Sequence, residues 1–138
     1  MRKIISITLV LIATLCSVAA KEPVKVGVTA VNSTKVEVFY FHYTRRCVTC
    51  NAVENETKTA IQALYPAQYK KGEITFKSVN LDEKGSEALA KKCKAEGQAL
   101  LIISKTKRLD LTDKGFMYAK TSPDKLKAAL KKDIDPLL

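Results

Sequence analysis

Residues 35–43, KVEVFYFHY, constrain this chain more than any other stretch. β-Branched and aromatic side chains fill both parities, so neither face of such a strand can be left in water. It belongs in the middle of a sheet that is covered on both sides. Directly after it the period changes. Val53, Thr57, Ala60, Ile61 and Leu64 recur at helical spacing, and Pro66 closes the run. A buried strand that feeds straight into an amphipathic helix opens an α/β domain. Further on, 73–81 (EITFKSVNL) reads as a second strand, and 84–97 as a helix with Ser86 as N-cap and Gly97 as its stop. Residues 99–104 (ALLIIS) read as a third buried strand, which KTK turns into a polar edge strand over 108–112. The last helix begins with Ser122 as cap and Pro123 at its first position, and Leu126, Ala129, Leu130 and Ile134 line one face. The expected order is β-α-β-α-β-β-α, a mixed sheet flanked by helices, in one domain over residues 35–138.

The N-terminus carries a separate signal. A basic start (Met1-Arg2-Lys3), an apolar stretch and the small residues SVAA precede the charged KEP. That is the pattern of a secretory signal peptide over residues 1–20, with cleavage after Ala20 or Ala19. The apolar stretch is shorter than the roughly 20 residues of a spanning helix. A lipoprotein signal would use Cys16, but bulky Leu15 precedes it. The chain is therefore expected to be exported, periplasmic or secreted, with no stable membrane insertion after cleavage. Residues 21–34, with the alternating VKVGVTAV, form a tether or an edge strand. The net charge of +10 comes mostly from dispersed lysines without an aromatic-rich basic motif, so a solvated surface rather than nucleic-acid binding is expected. A monomer is expected. Asn32 and Asn55 each head a glycosylation sequon.

Cys47 and Cys50 stand at the corner where the central strand gives way to the helix. A thiolate at a helix N-terminus meets unpaired N–H groups and the positive end of the dipole. Arg45 and Arg46 add cations nearby, and all three effects favour S⁻. Cys50 lies within one turn and can close a disulfide with Cys47: the outer sulfur attacks, the inner one resolves. As a staple the pair would do little, since so short a loop removes only about 2 kcal/mol of chain entropy. A closed zinc site needs four ligands, and His42 is the sole histidine. A soft-metal chaperone of the β-α-β-β-α-β type would have two strands between its helices, where this chain has one. A thiol–disulfide oxidoreductase is the leading reading, with a protein or small-molecule thiol or disulfide as partner. The alternative is a carrier of Cu(I) or arsenite that uses the same two thiolates. Cys93 shares a helix face with Leu89 and reads as a buried thiol. For His42 two readings stay open: a proton carrier or positive neighbour of the thiolate, or a half-buried ring bonded to backbone. Phe116, Met117 and Tyr118 either face a partner or pack beneath a loop.

With this corner and this element order, the chain resembles thioredoxin-fold proteins over nearly all of residues 35–138. More narrowly, VFYFHYTRRCVTCNAVENET resembles small exported thioredoxin-like proteins of the nitrophenyl-compound nitroreductase subunit, or ArsF, family. The resemblance implies a redox-active Cys47–Cys50 disulfide. No glycine-rich phosphate loop is present, so no flavin or nicotinamide cofactor is expected. The chain departs from thioredoxins in three places. It has no Trp, and Val48-Thr49 separate the cysteines. The cis-proline opposite the disulfide is replaced by Ala99, or by Gln98 with a shift of one. The buried acid would fall at Phe41.

Overall fold

The computed structural model describes residues 35–138, so the signal-peptide and tether expectations lie outside the described residues. Among the described residues, four strands and five helices follow one another: β1 (Val36–His42), α1 (Val48–Leu64), α2 (Pro66–Lys70), β2 (Ile74–Asn80), α3 (Ser86–Cys93), β3 (Ala99–Ser104), β4 (Arg108–Asp110), α4 (Thr112–Tyr118) and α5 (Pro123–Ile134). A 3-10 turn over Asp135–Leu137 ends it. The strands form one mixed sheet in the order β2-β1-β3-β4. β1 runs parallel to β2 and antiparallel to β3, and β4 is antiparallel to β3. None of the described helices is long and apolar enough to cross a membrane.

The central placement of β1 follows from its side chains. Val36, Val38 and Tyr40 point to one face, where they join Leu100 and Ile102 of β3 under α1 and α5. Phe39 and Phe41 point to the other, where they meet Leu101, Ala90 and Cys93 under α3. The first layer is the larger. Val53 and Ile61 of α1 and Leu126, Leu130 and Ile134 of α5 are all fully buried in it.

The structure corrects four expectations. Pro66 does not merely end the first helix; it opens α2 at its first position, because proline disfavours helix in the residue before it and suits the first turn after it. α3 is shorter than 84–97. Gly85, at φ 94°, stands at its cap position, and Ser86 lies inside, donating to the carbonyls of Leu81 and Glu83. It stops at Lys94, in the left-handed region, rather than at Gly97. Arg108 from β4 explains the early stop: its Nε and Nη2 take the carbonyls of Cys93 and Lys94, both at 2.8 Å. The edge strand ends at Asp110, and residues expected to lie in a loop form α4. α4 can lie close to the sheet because Gly115 has no side chain: a Cβ there would stand 3.1 Å from Leu100 and 3.3 Å from Val53. Phe116 and Tyr118 pack against the larger core, while Met117 is exposed. The Asn55 sequon lies within α1, and its Thr57 is fully buried.

Candidate active site

The corner between β1 and α1 is pinned from β2. Thr44 donates its N–H to Asp82 at 2.7 Å and receives the Asn80 carboxamide on its hydroxyl at 2.9 Å. Hydrogen bonding from Thr44, its backbone N–H first and then its side chain, holds the Asp82 carboxyl below its ordinary range. From this corner the chain enters α1 with Cys47 as the N-cap residue, in extended conformation. A cap residue puts its side chain over the first free N–H groups. Here that side chain is a sulfur, and Cys47 Sγ accepts from the Cys50 N–H at 3.2 Å.

The two thiols are present in free form and differ sharply in setting. Cys47 is exposed and Cys50 is 5% exposed. The Cys47 thiol is held below its usual acidity range, first by the hydrogen bond with the Cys50 side chain and then by backbone bonding from Cys50 and Thr49. A favoured thiolate facing solvent is a nucleophile, and a sheltered thiol one turn behind it can displace whatever that nucleophile captures. Cys93 stands apart on the α3 face, 5% exposed, its thiol pushed up chiefly by burial.

Arg45 is exposed at the corner, as expected. Arg46 is not the free cation the sequence suggested. Its guanidinium is half-buried and ion-paired with Glu54, one turn past Cys50 on α1. It also turns donors toward both ring nitrogens of His42, with Nε 3.1 Å from Nδ1. His42 is 4% exposed, and its Nδ1 lies 2.9 Å from the Tyr43 carbonyl. The structure thus joins His42 and Arg46 to each other and to Glu54.

Opposite the dithiol stands Gln98, whose carboxamide Nε2 is 3.9 Å from Cys50 Sγ. Of the two positions weighed for the missing proline, the shifted one faces the sulfur. Ala99 is already in β3, paired with Phe41. No cis peptide occurs among the described residues. Phe41 does not take the place of the buried acid, since its ring lies in the α3 layer. The β1 residue on the α1 side nearest the corner is Tyr40, fully buried, its ring tilted by 35° to that of His42 with centroids 5.7 Å apart. Tyr40 and Glu54 escaped the sequence reading. The two-residue alternation of β1 could have found Tyr40, and the helical step from Cys50 could have found Glu54.

An open groove of about 640 Å³, which neither Cys47 nor Cys50 lines, runs between Tyr43, Leu81, Ala90, Lys94 and Gly97. Tyr43 and Val48 expose apolar surface on either side of Cys47 in sequence. No group of three or more metal-ligating side chains occurs among the described residues.

No family model matches the chain, and no curated protein matches it. Among solved structures it is similar to thioredoxin O2 from Arabidopsis thaliana in its oxidized state, with a TM-score of 0.50 at 17% identity over 72% of this chain and 75% of that one. It is also similar to a structure described as a malarial protein, with a TM-score of 0.45 at 24% identity over 71% and 96% of the two chains. The first likeness gives the fold: the chain has a thioredoxin-like α/β architecture, with a C-x-x-C at the strand-to-helix corner.

Proposed function

We propose that this protein is an exported thiol–disulfide oxidoreductase in which Cys47 attacks and Cys50 resolves. One observation carries the reading: an exposed sulfur of favoured ionisation caps α1, and a buried partner thiol sits one turn behind it. The Cys47 thiolate attacks a partner disulfide, forming a mixed disulfide and releasing one partner thiolate. Cys50, losing its proton, then attacks Cys47 Sγ. The Cys47–Cys50 bond forms as the bond to the partner breaks, and the partner leaves with both electrons of that bond. Run backwards, the same steps reduce the protein and oxidise a dithiol. Export rests on the signal-peptide pattern of residues 1–20, and the family resemblance of residues 38–57 favours the same setting.

Mass spectrometry of protein taken from its own compartment tests the reading. Protein beginning at or beside Lys21 and lighter by two hydrogen atoms, with a 47–50 bond on peptide mapping, is the expected result. A Cys50→Ser variant should accumulate mixed disulfides at Cys47. An added copper or arsenic mass on the two thiols would make the protein a carrier instead, and an intact Met1 would overturn export.

A further inference from the structure

The inner sulfur has a side-chain donor from outside its own helix. Gln98 stands just before β3, which runs antiparallel to β1 and so begins beside the end of β1 that leads to the dithiol. Ala99 pairs with Phe41, and the residue before it is carried one step further toward the corner. There the Gln98 carboxamide donates from Nε2 to Cys50 Sγ at 3.9 Å, a long bond of the kind a neutral thiol accepts. Cys50 is buried, so water offers this sulfur little. Gln98 is half-buried and also lines an open, polar groove of about 570 Å³ with Lys94, Arg108, Asp110 and Thr112. Water in that groove can serve the rest of the carboxamide, so the side chain turns to the sulfur without leaving a polar atom unpaired. A neutral thiol gains little from such a donor. A thiolate gains more, because hydrogen bonds to ionised acceptors are shorter and about twice as strong.

Cys50 carries that charge at a defined moment of the cycle. Resting on the oxidoreductase reading above, we propose that Gln98 is a third catalytic residue, donating its carboxamide N–H to Cys50 Sγ as that sulfur becomes a thiolate. When an external dithiol reduces the protein, its thiolate attacks Cys47 Sγ and forms a mixed disulfide there. The Cys47–Cys50 bond breaks, and its electron pair leaves on Cys50, where the Gln98 N–H meets the new charge. Cys50 then takes a proton from water, and the second thiol of the reductant frees Cys47. In the opposite direction Cys50 gives its proton to water and attacks Cys47 Sγ as the thiolate that Gln98 stabilises. Cys47 has its own donor, the Cys50 N–H at 3.2 Å, so the two sulfurs are served from different parts of the chain. A carboxamide does not titrate, so its donor is present at every pH at which the pair works.

The test compares two variants. Gln98→Met keeps the length and removes the donor, while Gln98→Glu keeps the shape and donates only while its carboxyl is protonated. Each protein is oxidised to the 47–50 disulfide and mixed with dithiothreitol between about pH 4.5 and 8, a span that crosses the carboxyl range. Acid quenching and mass spectrometry then give the rate of reduction. Gln98→Met should be reduced about tenfold more slowly than wild type. The Gln98→Glu rate, taken as a ratio to wild type, should fall as pH rises through the carboxyl range. Alkylation of Cys47 by iodoacetamide, in which Cys50 neither attacks nor leaves, should stay within about twofold of wild type in both variants. A role in packing alone would slow both variants by a factor that does not change with pH, and that result overturns the inference. Reduction of Gln98→Met at the wild-type rate overturns it as well, and leaves the oxidoreductase reading standing. If wild type forms no 47–50 bond in oxidised glutathione, the oxidoreductase reading falls and takes this inference with it.

Discussion

Cys47 and Cys93 show how little a residue's identity says about its chemistry. One sulfur caps a helix and is pulled toward the thiolate by Cys50 and the first backbone N–H groups. The other is enclosed under α3 and pushed toward the thiol by burial. Iodoacetamide should therefore label Cys47 with a pH midpoint below that of a free thiol, while Cys93 stays unlabelled over the same period, and Cys93→Ser should leave redox cycling intact. Labelling of Cys93 at a comparable rate would contradict its enclosure. Arg46 belongs at this scale too. Its charge is shared with Glu54 and His42, so Arg46→Ala should leave half-buried Glu54 unpaired and cost roughly 1–2 kcal/mol in urea unfolding. An unaltered urea midpoint would place the guanidinium in solvent.

At the scale of elements, α4 depends on a missing side chain. Gly115→Ala would gain up to about 1 kcal/mol of helix propensity. It would also press a methyl against Leu100 and Val53, both fully buried and unable to withdraw. Overpacking of this kind costs about 1–3 kcal/mol, so the variant should be destabilised by about 1 kcal/mol net. A stabilised variant would mean that α4 can lift from the sheet. The early stop of α3 has the same character, since it is imposed by Arg108 across the sheet edge rather than by any signal in the helix itself.

At the scale of the molecule, the far ends of α1 and α5 are tied by one phenol. Tyr65, 5% exposed, donates to Asp135 at 2.6 Å, and Lys131 holds the same carboxylate at 2.7 Å. The two partners, Lys131 first, keep the Asp135 carboxyl below its ordinary range. A carboxyl depressed in the folded state stabilises fully above its unfolded value, near pH 4, and that contribution is lost as pH falls through the depressed value. Melting temperature should thus drop as pH is lowered below about 4, and Asp135→Asn should flatten that part of the profile. Asp82, held down by Thr44, contributes with the same sign at the other end of the sheet. An Asp135→Asn profile superimposable on wild type would show that the tie to Tyr65 carries no stability.

The layers and the place of the dithiol were legible in the amino-acid order alone. Two apolar parities put β1 in the middle of the sheet, the change of period after it put Cys47 at a helix end, and Pro123 with its apolar stripe set α5. These are local signals, carried by neighbours three or four residues apart. Tertiary structure decided what the dithiol faces. Phe41 and Tyr40 are adjacent and similar in size, and only the packing of α1 and α3 on opposite faces puts the phenol, not the ring of Phe41, on the side of Cys50. Gln98 meets the inner sulfur across 48 residues of chain, Arg108 ends a helix from another strand, and Arg46 finds Glu54 instead of Cys47. Each of these contacts joins groups that no sequence period relates, because it is fixed by how elements stack and not by how any one of them forms.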